Sequence, residues 1–407
     1  MARANRSRRA APEAGDDEAV SAVIGTVLLL GITAVAISLV AAMGLPALQR
    51  LQDRAALQSM AGQLGQAHAA LGDLSGVDAT RVVPIQLPAG AVAVRDDGRV
   101  LVAVDRDAEN PACDVHLTGW TDPDTTTIGY VAPGCRNIVA ALTPLCNLIP
   151  LLGLICTLTD DSVWEAYRVD GASLQAVPLV PTSGAAGTLR RIDGGTFSRD
   201  ADWLFRLSNG ENDPGTAAPL VVYAEAWLSA SDRVTWETGG DVGLVLSAGW
   251  LWSRDGHAVI EAGAPGLTER ALGDGGEDFV LRLPVLRGDP DGGFNDRGEH
   301  RLELRQAGAA LRTRLDGGNG AEAYRLRLDL DGEHAAAACS ALLLRNAQFE
   351  AARWQEDSDF SCEDGGAAPD QGVRSVSYHV PVEGAPFDAE PFQLRFLQEV
   401  VRVRLAV

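Results

Sequence analysis

The sequence predicts an α+β protein: one long hydrophobic N-terminal helix, then a mainly antiparallel, β-rich extracytoplasmic head, a lollipop-like arrangement. Three observations predict it. Val20–Leu48 carries no charged residue. Beyond that run, apolar residues recur at helical spacing as far as Leu74. After Leu74 the period changes to alternation, punctuated by nine Asp-Gly pairs. With 407 residues, the chain is long enough for substantial hydrophobic cores.

The first element is the uncharged run. About 20 apolar residues in a helix match the hydrocarbon thickness of a bilayer, and this run is longer, weakened only at Gly25, Gly31, Gly44 and Pro46. Val20, Ile24, Gly25, Leu28, Gly31, Val35, Leu39 and Pro46 mark its course as a membrane helix. It is too long for the apolar core of a cleaved secretory signal. Arg3, Arg6, Arg8 and Arg9 precede it, and by the positive-inside rule they place the C-terminal bulk outside. Beyond the run, Leu48, Leu51, Ala55, Leu64, Ala67, Leu71 and Leu74 recur at helical intervals, with Gln49, Arg50, Gln52, Asp53, Arg54, Gln63 and Gln66 on the other faces. This is an amphipathic continuation. A helix from Val20 to Leu74 would be roughly 80 Å long at ~1.5 Å per residue, and Pro46 is expected to kink it. The chain thus divides into a polar leader (1–19), a membrane helix with its amphipathic continuation (20–75) and an acidic head (76–407), the head itself dividing near 275/276.

The segment DDEAVSAVIGTVLLLGITAVAISLVAAMGL resembles the N terminus of archaeal type IV pilins and of the pilin-like surface proteins of haloarchaea, with their class III signal peptides. A short polar leader and a small residue, Ala19, are followed by Val20-Ser21-Ala22-Val23-Ile24-Gly25. The resemblance implies a membrane prepilin peptidase as a partner, cutting between Ala19 and Val20 on the cytoplasmic side. It implies other pilin subunits as further partners, bundled through this helix in a surface filament. The family carries Lys or Arg two residues before the cut, where this chain has Glu18. The segment RVTWETGGDVGLVLSAG (Arg233–Gly249) also resembles the family's turn between two strands of the extracellular domain. So does the order of a late Trp354-containing helix followed by FQLRFLQEVVRVRL. The same N terminus serves equally as the anchor of a single-pass surface protein whose head binds a ligand, a carbohydrate or an envelope partner.

In the head, Ala91–Arg95 and Arg99–Asp105 alternate around Asp97-Gly98 and predict a hairpin with a type I′ turn. Asp-Gly recurs at Asp170-Gly171, Asp255-Gly256, Asp316-Gly317 and Asp331-Gly332 between alternating runs, which favours antiparallel β structure, sandwich-like, over an α/β fold. Strands are expected at Val163–Val169, Trp203–Leu207, Leu220–Ala230, Arg233–Thr238, Gly243–Leu246, Trp250–Ser253 and Ala258–Glu261. A later set is Phe279–Leu286, His300–Gln306, Leu311–Leu315, Ala323–Leu330, Arg374–Val382 and Phe392–Val407. One late helix is expected from Ala335 to about Gln355, a run without Gly or Pro. The uncharged stretch 137–159 is interrupted by Pro144, Asn147, Pro150 and Gly153 and reads as a buried or disulfide-clipped insertion, the alternative being an exposed apolar patch used for subunit or membrane contact.

All six Cys follow the apolar run: Cys113, Cys135, Cys146, Cys156, Cys339 and Cys362. An even number beyond a membrane segment reads as up to three disulfides, for which fifteen pairings exist. Net charge is -21 with a pI of about 4.6, and all 34 basic residues are Arg. The leader's four Arg balance its four carboxylates, so the acidity belongs to the part beyond the membrane. Such a surface argues against nucleic acid as a partner, since phosphates need a basic one.

No motif asks for a cofactor or metal, and none announces an enzyme: G-x-S-x-G, H-E-x-x-H and P-loop patterns are absent. Gly288–Glu299 is acidic, but an EF-hand beginning at Asp289 would need Gly where Phe294 stands and Glu where His300 stands. It reads as a solvated loop. Trp250 and Trp252 share one strand face, which core packing explains as well as a carbohydrate platform does.

Overall fold

The computed structural model describes residues 16–74, 78–96, 98–106, 116–120, 124–131, 163–181, 186–208, 222–238, 243–253, 266–271, 277–289, 292–317, 324–330, 354–356, 374–380 and 392–406. The stretch 137–159, the six Cys, Ala258–Glu261 and the Asp-Gly pairs at 255 and 331 lie outside them. The chain forms two compact units, Met1–Ala56 and Leu57–Val407, and the boundary falls inside one helix.

That helix, α1, spans Asp16–Asp73. Asp16, Asp17 and Glu18 occupy its first turn, where carboxylates suit the positive end of the helix dipole. Its assignment is unbroken through Pro46. Within the second unit, Leu57, Met60, Leu64, Ala67, Leu71 and Leu74 are all buried, at alternating spacings of three and four. This is the amphipathic stripe expected from Leu64 onward. Leu48, Leu51 and Ala55, expected on the same stripe, are instead exposed, the two leucines by 57% and 62%.

Among the described residues, twenty-two strands follow α1. The first eleven are β1 (Thr80–Gln86), β2 (Ala91–Arg95), β3 (Arg99–Arg106), β4 (His116–Thr118), β5 (Thr127–Val131), β6 (Val163–Asp170), β7 (Ser173–Val177), β8 (Leu179–Pro181), β9 (Ala186–Arg191), β10 (Asp202–Ser208) and β11 (Val222–Ala230). The rest are β12 (Arg233–Glu237), β13 (Gly243–Ser247), β14 (Trp250–Ser253), β15 (Gly266–Ala271), β16 (Glu277–Gly288), β17 (Gly293–Phe294), β18 (Glu299–Gly317), β19 (Tyr324–Leu330), β20 (Trp354–Glu356), β21 (Arg374–Val380) and β22 (Phe392–Ala406). They build four sheets. Sheet A runs β1-β18-β22-β16-β15, sheet B β14-β13-β12-β2-β17, sheet C β20-β21-β19-β3-β11-β10-β6-β7 and sheet D β4-β5-β9-β8. The α+β class and the mainly antiparallel pairing expected from the sequence are observed, with one parallel ladder, β16 with β22. Strands from both sides of 275/276 share sheets A, B and C.

Sheet C is the central layer. One face, carrying Leu101, Trp164, Trp203, Phe205 and Ala226, closes against Leu117, Ile128, Tyr130 and Leu189 of sheet D to form the main aromatic core. Tyr130 lies 5.1 Å from Trp164, and Phe197 5.2 Å from Trp203, centroid to centroid. These are separations at which tilted aromatic pairs attract. The opposite face of sheet C meets sheet A across a polar seam. The Trp227 indole N–H donates to Thr313 Oγ1 at 2.9 Å, and Gln398 Nε2 donates to Asp202 Oδ2 at 3.0 Å.

Four expectations are corrected. The hairpin at Asp97-Gly98 does not form: β2 belongs to sheet B and β3 to sheet C. At the same level the neighbouring chain crosses as well, from β11 in sheet C to β12 in sheet B, with Arg95 opposite Arg233 and Arg99 opposite Ala230. Two paired strands therefore turn one corner together, as in orthogonal sheet packings. Gly98 has no positive φ; an added Cβ there would lie 2.2 Å from the Ser231 carbonyl oxygen, so close approach, not a turn, requires the glycine. Second, His300–Gln306 and Leu311–Leu315 are one strand, β18, whose register shifts at Gln306/Gly308 and Leu311/Thr313. Such bulges bend a long strand without ending it. Third, the late helix does not reach Gln355, because Trp354–Glu356 pair with β21; residues 331–353 lie outside the described set. Fourth, Gly288–Glu299 is more than a solvated loop: it holds β17, an edge strand against β2, and Phe294 stacks on buried His300 at 3.7 Å.

The hairpin at Asp170-Gly171 forms as expected, with Gly171 at φ +58°. Arg233–Gly249 is likewise a pair of antiparallel strands, β12 and β13. A further two-residue turn joins β13 to β14 at Ala248-Gly249, both at positive φ (46° and 82°), as a type I′ turn demands.

Candidate membrane segment and its seat in the head

Along α1 the large apolar side chains from Ile24 to Leu51 stand exposed, among them Leu28 (59%), Val35 (69%) and Leu39 (60%). A soluble protein would bury such a run, and its most apolar 18-residue window has no buried share at all. The polar side chains inside the run need no water. Thr33 Oγ1 donates to the Leu29 and Leu30 carbonyls at 2.9 Å each, and Ser38 Oγ to the Ala34 carbonyl at 2.8 Å. A spanning helix in lipid must satisfy its polar groups internally in this way. Pro46, within the run, offers no N–H to the carbonyl of Ala42. Gly25, Gly31 and Gly44 have open space where a Cβ would be added. α1 is thus one helix long and apolar enough to cross a membrane. Ala19 and Val20, the residues of the expected cut, lie within its first two turns, as does the start of the expected membrane helix.

From Leu57 onward the same helix is a core element of the head. Burying its four large apolar side chains, Leu57, Met60, Leu64 and Leu71, stabilises by about 1.5–3 kcal/mol each, an upper estimate. Polar contacts fix its rotation and its end. Gln63 binds the backbone of Gln86 at the end of β1, through Gln86 N–H to Oε1 at 2.5 Å and Nε2 to the Gln86 carbonyl at 3.0 Å. His68 Nε2 lies 2.9 Å from the Gly249 carbonyl oxygen. Arg282, ion-paired with buried Glu399, donates to the Leu74 carbonyl at 3.4 Å and so supplies the positive charge that the last turn lacks. The periodicity revealed the buried stripe; nothing in it singled out Gln63, one polar residue among several.

The head's polar clusters are internally paired. In the seam, Asp202 holds Arg287 at 2.8 Å and takes the Gln398 amide; Gln398 Oε1 in turn accepts from Arg312 at 2.6 Å. Arg312 also caps the Gly171 carbonyl at 2.7 Å and lies over the Trp227 ring. Burial pulls Arg312 below the usual arginine range, with Asp202 opposing the shift. Glu225 binds Arg206 at 2.9 Å and accepts from Thr313 at 3.1 Å. At the corner, burial pushes the Asp232 carboxyl above the usual carboxylate range, while the Gly288 N–H, donating at 2.6 Å, and Arg287 pull it back. These groups hold sheets together. Trp120, Trp203, Trp236 and Trp250 are buried in the core, so Trp250 offers no aromatic platform; the Trp252 and Trp354 side chains lie outside the described set. Among the described residues, no three His, Cys, Asp or Glu are grouped to hold a metal ion.

A model of a family of unknown function (DUF7289) matches residues 18–134, from Glu18 in the first turn of α1 to just past β5, under a third of the chain. No curated protein and no solved structure matches.

Proposed function

We propose that the protein is a structural, pilin-like subunit of the cell surface, of the minor-pilin or pseudopilin kind given the size of its head. It is inserted through α1 with the acidic head outside, and it is not an enzyme. The observation that carries this reading is the double character of α1: its large apolar side chains stand exposed from Ile24 to Leu51, and it is then a buried element of the head core from Leu57. A subunit whose helix first lies in lipid and then bundles with copies of itself needs both halves. The resemblance of Val20-Ser21-Ala22-Val23-Ile24-Gly25 to archaeal class III signal sequences supports the same reading and adds a prepilin peptidase as partner. The head's Cys are proposed to be disulfide-bonded. N-terminal sequencing of the protein from the membrane fraction tests the proposal. A start at Val20 is expected. An intact start at Met1 or Ala2 overturns prepilin processing and leaves a single-pass anchored protein whose head meets a ligand or envelope partner.

A further inference from the structure

Among the described residues β1 is an edge strand of sheet A, and the hydrogen bonds of its neighbours show which groups face outwards. Leu87 N–H donates to Gly298 O, and Gln306 N–H to Ala79 O, so the odd-numbered residues of β1 turn their backbone groups inward to β18. Thr80, Val82, Pro84 and Gln86 therefore turn theirs outward. An open row of N–H and C=O groups is a template for its own antiparallel copy, and proteins protect such edges. Two of the four outward positions here are blocked. Pro84 has no N–H to give. Gln86 has both groups taken by the Gln63 carboxamide, which sits where a next strand's peptide would sit. Ser59 Oγ, 3.3 Å from Gln63 Nε2, steadies the amide. Just before the blocked positions the Val82 side chain is 55% exposed, so apolar surface would reward pairing if the edge were open.

We propose that Gln63 and Pro84 form a guard on the β1 edge, an autoinhibitory contact that stops two heads from joining β1 to β1 into one continuous ten-stranded sheet. The occupant kept out is a second copy of this chain. The guard does not depend on the pilin reading, because it rests on the head alone. Hydrogen exchange on the full chain in lipid nanodiscs and in detergent tests it. In Gln63→Ala the Gln86 amide is expected to exchange at least tenfold faster, with the Leu87 amide unchanged; an unchanged Gln86 amide overturns the clamp. In Gln63→Ala/Pro84→Val, the amides of residues 80, 82 and 84 are expected to gain protection as concentration rises, and adding Val82→Lys to remove it. Folded double variant without concentration-dependent protection at those amides overturns the guard. Should the double variant not fold, Gln63→Asn, too short to reach Gln86, gives the same single-site reading.

Discussion

Ser231 donates its backbone N–H to the carbonyl of Gly98 at 2.9 Å, and the Ser231 carbonyl oxygen occupies the space a side chain on Gly98 would need. The two residues stand where both paired strands leave sheet C for sheet B. The third sheet is tied to the same place: the Ser231 hydroxyl accepts from the Leu286 N–H at 3.2 Å, and the Asp232 N–H donates to the Leu286 carbonyl at 2.9 Å.

Gly98→Ala is expected to destabilise the head by about 1–3 kcal/mol, since the clash is with backbone and neither crossing strand has room to yield. Gly65→Ala, on α1 with nothing within 4 Å of the added Cβ, is the matched control. It should be neutral or stabilising by up to about 1 kcal/mol. Urea titration of both variants compares them directly.

The two halves of α1 predict opposite responses to the same change. Leu64→Ala removes a fully buried side chain and should cost about 2–5 kcal/mol of head stability. Leu39→Ala, at a site 60% exposed, should leave the thermal midpoint of the head in detergent unmoved. A comparable loss in both variants would show that the head depends on the apolar half as well.

In the seam, Asp202→Ala would leave Arg287 and the Gln398 amide without their carboxylate. Removing one partner of a largely buried ion pair costs about 3–5 kcal/mol. Asp202→Asn keeps an acceptor for Gln398 and should cost less. Chemical denaturation that ranks the two variants the other way would contradict the seam geometry.

Asp232 gives a signed pH dependence. Its carboxyl is raised in the folded state, mainly by burial, so the folded protein holds the proton more tightly than the unfolded chain. The contribution is fully present below the unfolded carboxylate range and is lost as pH rises through the folded value. Asp232→Asn should therefore narrow the stability difference between acidic and neutral pH, gaining on wild type as pH rises. Denaturant midpoints taken across that range measure it; parallel wild-type and variant curves would contradict the assignment.

The helix was legible because its two signals are local: absence of charge over Val20–Leu48, and the spacing of Leu64, Ala67, Leu71 and Leu74. Asp170-Gly171 was legible for the same reason, since its two strands are neighbours in sequence. Asp97-Gly98 carries the same two letters and was misread, because what demands the glycine is Ser231, more than 130 residues away. β1 escaped notice since Pro84 argues against a strand unless the strand is known to lie on an edge. The parallel pairing of β16 with β22 joins residues more than 100 positions apart, and no periodicity carries that information. Of the candidate segment, the exposed apolar half could be read directly from sequence, whereas the Gln63 clamp on Gln86 depends on where β1 ends.

The doubly crossed corner has one more consequence. Sheets B and C are joined not by a linker but by two separate lengths of backbone running in opposite directions, at 96–98 and 231–232. A nick at either place leaves the other intact, so the two sheets remain covalently stitched after any single cut there. That redundancy suits a molecule exposed to proteases or to pulling, in which an isolated loop between sheets would be the first part to fail.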